Sequence, residues 1–103
     1  MKSKITSTIQ LMKDGEVFHS IDIKNVSEYH FSYDSEKLAY LYLDIPDINM
    51  YDLDILVKEP YESYIVMGAK QYNNKIFPIP ARVFKHIHIE ESDNRARIFF
   101  SEK

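Results

Sequence analysis

"KITSTIQLMKDGEVFHSIDI", residues 4–23, carries apolar side chains at Ile5, Ile9 and Leu11 and again at Val17, Ile21 and Ile23, all at odd positions. A period of two places alternate side chains on one side of an extended chain, so the stretch predicts two half-buried strands. What joins them decides whether the two apolar sets share a face. A two-residue Asp14-Gly15 turn would set Ile9 and Leu11 opposite Ser20 and Phe18, breaking the parity. A three-residue loop Lys13-Asp14-Gly15, with Gly15 left-handed, pairs Leu11 with Val17, Ile9 with His19, Ser7 with Ile21 and Ile5 with Ile23. The pattern therefore predicts the longer loop, with His19 on the apolar face as a buried, hydrogen-bonded imidazole.

Residues 25–45, "NVSEYHFSYDSEKLAYLYLDI", repeat the hairpin signature around "DSEK". A four-residue loop from Asp34 to Lys37 pairs Tyr33 with Leu38, Phe31 with Tyr40 and Tyr29 with Tyr42. One face of the hairpin is then aromatic, and the other carries Ala39, Leu41 and Leu43. With the aliphatic side as core, Tyr29, Phe31, Tyr33, Tyr40 and Tyr42 form an exposed platform, and tyrosine offers large contact area with little rotamer entropy to lose. With the aromatics as core, no platform exists.

In the middle segment, Leu53, Ile55 and Val57 alternate with charged residues, which favours a strand despite Leu56, and "PDINMYD" has room for a single helical turn with Asp47 near its start. Beyond Pro60, Asn73-Asn74 marks a turn, Gly68 suggests a bulge, and Pro78 and Pro80 confine the return arm to an edge or an irregular path. The last hairpin is "VFKHIHIEESDNRARIFF", residues 83–100. Turning at Glu91 to Asn94, it puts Ile87, Ile89, Ala96, Ile98 and Phe100 on a buried face. Phe84, His86, His88, Glu90, Arg95, Arg97 and Phe99 share the other. His86, His88 and Glu90 stand in a row that a divalent metal could use, but a guanidinium across the strand opposes one, and Glu90 has a cross-strand partner in Arg95. No metal and no cofactor are expected.

These elements add up to one all-β domain over residues 1–103: a small antiparallel meander of eight or nine strands, forming a sandwich or a partly open barrel with at most one short helical turn. The chain has no cysteine and two glycines, which excludes disulfides, thiol nucleophiles and glycine-rich phosphate loops. No catalytic motif is present, so no enzymatic activity is expected. No window is long and apolar enough for a membrane span or a signal peptide, and the reading is cytoplasmic.

Charge carries the remaining information. Residues 1–62 hold 12 acids and 6 bases, whereas residues 63–103 hold 7 bases and 4 acids. The acids concentrate in residues 44–62, where Asp44, Asp47, Asp52, Asp54, Glu59 and Glu62 face only Lys58. Clustered acids beside a tyrosine-rich face predict a non-catalytic interaction module, an adaptor or inhibitor, docking on a basic partner protein. The expected contacts are Tyr29, Phe31, Tyr33, Tyr40, Tyr42, Asp44, Asp47, Asp52, Asp54 and Glu59. Two alternatives stand beside it. One is a subunit of a homo-oligomer with the two-sided apolar hairpin between copies, and the other is a small nucleic-acid-binding barrel using the basic C-terminal hairpin, which the charge of the tyrosine-rich part opposes.

Overall fold

In the computed structural model, which describes residues 3–58 and 60–102, eight strands and one helix follow one another along the chain. They are β1 (Lys4–Lys13), β2 (Glu16–Ile23), β3 (Glu28–Tyr33), β4 (Ala39–Ile45), α1 (Met50–Lys58), β5 (Ser63–Tyr72), β6 (Lys75–Phe84), β7 (His86–Ser92) and β8 (Arg95–Ser101). The strands form two four-stranded antiparallel sheets, ordered β2-β1-β5-β6 and β3-β4-β8-β7. Each sheet joins an early hairpin to a late one, through β1 with β5 and β4 with β8. The all-β sandwich expected from the turn spacing is the observed architecture.

The inner faces supply the core. Ile9, Leu11, Ile21, Tyr64, Val66 and Phe84 come from the first sheet, and Leu41, Leu43, Ile45, Ala96, Ile98 and Phe100 from the second, all buried. Phe100 packs against Phe84 and Tyr64 with ring centroids 5.6 and 6.2 Å apart, tying the sheets together. Each large aliphatic or phenylalanine side chain among them contributes roughly 1.5–3 kcal/mol on leaving water. Phe84 belongs to this core and not to the exposed face expected of it, because β6 ends there and Lys85 separates it from β7.

Three hairpins turn through two residues that both hold positive φ: Asp14-Gly15 (53° and 75°), Asn73-Asn74 (51° and 65°) and Asp93-Asn94 (46° and 62°). Turns of this hand match the twist of the strands they join, and Asn, Asp and Gly tolerate the left-handed region best. The first hairpin thus uses the short turn that parity argued against. Parity is restored by a bulge: Met12 pairs with Val17 and Leu11 with His19, so Phe18 is an extra residue on β2. Ile9 then faces Ile21 and Ser7 faces Ile23, two residues away from the expected register. A second bulge falls near Gly68 as expected, but β6 carries the extra residue, since three steps from Arg82 to Ile79 answer two from Val66 to Gly68. Gly68 answers a different need: a Cβ there would collide with the Thr6 carbonyl oxygen.

The middle segment is a helix of 9 residues, not a strand. Asn49 caps it, its Oδ1 accepting from the Tyr51 and Asp52 amides at 2.8 and 3.2 Å. Asp52 in the first turn and Lys58 in the last complement the helix dipole. Leu53 and Leu56, three apart, are buried, whereas Val57 is half exposed. The residue that broke the two-residue alternation is the one the helix buries. α1 lies between edge strands β2 and β7, and Arg82 of β6 reaches β3 on the other side, its guanidinium 3.6 Å from the Phe31 ring centre.

Candidate interaction face

The second hairpin pairs Tyr33 with Ala39, Phe31 with Leu41 and Tyr29 with Leu43, so its loop spans five residues where four were expected. Asp34 holds that loop, its Oδ1 accepting from the Glu36 and Leu38 amides at 2.8 and 2.9 Å. A slip of one residue turns half of the side chains over. The five aromatics therefore do not share a face. Tyr29 and Phe31 point inward with the aliphatic residues and pack against the core. The Tyr29 hydroxyl is buried without a hydrogen-bond partner, and burial raises its pKa above 10.0, partly offset by Arg82. Tyr33 sits at the exposed edge, its hydroxyl 3.4 Å from Arg82 Nη1.

Tyr40 and Tyr42 point out, and the register of the whole sheet decides their company. His30 pairs with Tyr42, Tyr42 with Phe99, and Phe99 with His88, one residue from each of β3, β4, β8 and β7. Their rings form a row. Centroids are 6.4 Å apart for His30 and Tyr42, 4.9 Å for Tyr42 and Phe99, and 5.9 Å for Phe99 and His88. The next rung is charged: Glu28, Asp44, Arg97 and Glu90. Glu28 lies 3.8 Å from His30, and Glu90 lies 3.8 Å from His88. On the other side of the aromatic row stand Ser32, Tyr40, Ser101 and His86. Tyr40 donates its hydroxyl to Asp34 Oδ2 at 3.1 Å, and this bond with the Asp34 charge raises the phenol pKa. The Tyr42 phenol is raised too, first by desolvation and then by the Asp44 charge.

The acidic residues scatter. Asp44 is buried, with Oδ2 accepting from Arg95 Nη1 at 2.6 Å, so Arg95 serves Asp44 and Glu90 pairs instead with Arg97. Asp52 turns toward β2, its Oδ1 3.6 Å from His19 Nε2. Asp47, at φ 53°, and Asp54 are exposed, and Glu59 lies outside the described residues. The expected site thus separates into an outward pair of tyrosines, two solvent-facing acids and a set of structural residues. His30, His88 and Phe99 were missed as members of a site, because the five-residue loop of the second hairpin sets His30 opposite Tyr42 and only the contact of β4 with β8 brings Phe99 and His88 into line with it.

A second concavity was also missed. Between α1 and β2, a cleft of about 490 Å³ is lined by Lys13, Phe18, His19, Tyr51, Ile55, Lys58 and Tyr61. His19 is half buried on the inner face, and its Nε2 has no hydrogen bond, contrary to the satisfied imidazole expected. The bulge at Phe18 shapes one wall, tilting that ring against Tyr61 with centroids 5.8 Å apart. Reading the helix as a strand hid this cleft. Among the described residues no group of three or more His, Cys, Asp or Glu is placed to hold a metal ion, and no helix is long and apolar enough to cross a membrane. No protein-family model, curated protein or solved structure matches the chain.

Proposed function

We propose that this protein is a non-catalytic interaction module, an adaptor or inhibitor, that docks a basic partner protein on the outer face of the β3-β4-β8-β7 sheet. The single observation that carries the reading is the row His30-Tyr42-Phe99-His88, four rings from four strands presented side by side. Such a row spans roughly 14 Å, the width of three inter-strand steps. An arginine or lysine laid on Tyr42 and Phe99 gains cation–π attraction, and Glu28 and Glu90 flank the row to pair with the same cations. Rigid sheet backbone fixes the rings before the partner arrives, so little entropy is lost on docking. Asp47 and Asp54 add long-range steering, whereas Asp44 does not, its charge being satisfied by Arg95.

Nucleic acid fits the face less well. Bases would stack on the rings, but Arg97 stands between Asp44 and Glu90, and Arg95 is occupied. The test measures fluorescence anisotropy of arginine-rich, acidic and oligonucleotide probes with wild type and with Tyr42→Ala/Phe99→Ala. Binding of the basic probe, weakened about 30-fold or more in the variant as for a pair of interface hot spots, supports the reading. Equal affinity in both proteins, or preference for the oligonucleotide, overturns it.

A further inference from the structure

Each edge strand of a sheet leaves a row of backbone amides and carbonyls without a partner strand. Of the four edges in this sandwich, three are guarded. β6 carries Pro78 and Pro80, which lack amide donors; β2 is bulged at Phe18; and β3, the shortest strand, is crossed by Arg82 over the Phe31 ring. β7 has no proline, no glycine and an unbroken register with β8. Its two-residue turn at Asp93-Asn94 makes Ser92 and Arg95 a hydrogen-bonded pair. Bonding then alternates along the strand: Glu90, His88 and His86 bond to β8, whereas Ile87, Ile89 and Glu91 turn their amides and carbonyls to the open edge. Among the described residues no hydrogen bond reaches those groups.

We infer that a second copy of the chain adds its own β7 at this edge, antiparallel about a two-fold axis at His88, so that two β3-β4-β8-β7 sheets become one sheet of eight strands. Only registers that set open-edge groups against open-edge groups can bond. Centred on His88, the pairing sets Ile87 opposite Ile89, His86 opposite Glu90 and Lys85 near Glu91, each contact occurring twice. The neighbouring registers set His86 against His88, or Ile87 against Glu91. Charge complementarity therefore selects both the occupant and its register. A groove of about 430 Å³ between β7 and the end of α1 borders this edge. Its ionisable lining is basic, from Lys58, Lys85, His86 and His88, and the second copy brings Glu90 and Glu91 to it. Val57 lines the same groove and Met50 a hollow farther along the edge; both are half exposed in the single chain, and the added strand covers them. The aromatic row ends at His88, so the axis joins two rows of four rings into one of eight. The oligomer contact thus falls at β7 and not on the β3–β4 hairpin that the sequence suggested.

Sedimentation velocity from micromolar to submillimolar chain concentrations tests the assignment. Wild type is expected to approach twice its 12.2 kDa chain mass. Lys85→Glu and Glu91→Lys, both at exposed positions, each set like charges together twice and are expected to raise the dissociation constant about 10-fold or more, with unchanged circular dichroism. An equimolar mixture of the two variants restores opposite charges at both contacts and is expected to dimerise as wild type does. Amide hydrogen exchange at Ile87 and Ile89 is expected to slow as the concentration rises, and exchange at His88 to stay unchanged. Tyr42→Ala is expected to leave the dimer intact, so this inference and the proposed function fail separately. A wild type that stays monomeric throughout overturns the interface, as does a dimer indifferent to both charge reversals or one without protection at Ile87 and Ile89. A monomer that instead binds an acetylated Glu-Val-Glu-Val-Glu-Val peptide assigns the edge to another protein and also overturns the dimer.

Discussion

Arg95→Ala tests whether the acidic segment is built for a partner or for the fold. The Arg95 guanidinium donates to Asp44 at 2.6 Å, with the Asp44 side chain 8% exposed and that of Arg95 39% exposed. A fully exposed pair contributes about 0.2–1 kcal/mol, and breaking a fully buried one costs about 3–5 kcal/mol because a charge is left stranded. The observed pair is lopsided: the carboxylate is buried and its partner reaches it from a wetter position. Removing the arginine strands the buried member, whose Oδ1 has no hydrogen bond either. The expected loss is therefore intermediate, about 2 kcal/mol, which for a domain of this size lowers the melting temperature by about 8–16 °C. Asp44→Asn is expected to cost less, since the exposed Arg95 can turn to water. Thermal melts of wild type, both single variants and the double variant form a cycle, and a coupling of at least ~1 kcal/mol is expected. Raising the salt should shrink it, because one partner is partly solvated. A melting shift for Arg95→Ala no larger than about 2 °C, or a coupling near zero, would refute the structural role and return Asp44 to the docking surface.

Gly68→Ala should lower stability by about 3 kcal/mol, the upper end of overpacking, since its Cβ must push β5 from the Thr6 carbonyl, whereas Gly15→Ala meets nothing within 4 Å and pays only the left-handed φ of 75°, about 1–2 kcal/mol. Urea denaturation that ranks Gly15→Ala as the worse variant would contradict the close approach of β1 and β5. Tyr29→Phe removes a buried, unpartnered hydroxyl and should stabilise by about 1 kcal/mol in the same assay. Because the folded state raises the Tyr29 pKa above 10.0, the stability linked to that phenol is fully present below 10.0 and is lost as pH rises through the higher folded value; the phenylalanine variant should show a shallower alkaline decline. Asp47→Asn/Asp54→Asn should slow association with a basic probe several-fold at low salt and leave it unchanged at high salt, measured by stopped-flow anisotropy.

The helix shows how a two-residue period can mislead. Leu53, Ile55 and Val57 alternate, but a helix of 9 residues needs only two or three buried positions, and Leu53 and Leu56 meet that need at a spacing of three. The decisive local signal was Asn49, three residues before Asp52 and free to cap the first turn. Once α1 is a helix, it stands against β2, Asp52 comes within 3.6 Å of His19, and a cleft that no strand could have formed opens beside them. Chain order gives no such neighbour.

Why the sandwich and its core were readable while the aromatic site was not follows from the size of each register error. In the first and last hairpins the turns are two residues long where three and four were expected, and a bulge at Phe18 or a plain shift carries the pairing two residues along. Two residues preserve side-chain parity, so Ile9, Leu11, Ile21 and Ile23, and Ala96, Ile98 and Phe100, all point into the core as their spacing predicts. In the second hairpin the loop gains one residue, because Asp34 ties the Glu36 and Leu38 amides into it and Lys37 adopts a φ of 63°. One residue inverts the parity between the arms. Tyr40 and Tyr42 leave Tyr29 and Phe31 and join His30, while Phe99 and His88 arrive from β8 and β7, far along the chain. Hydrophobic pattern fixes which side of a strand is buried; only the pairing of whole strands fixes which outward side chains meet, and it is on those meetings that a recognition surface depends.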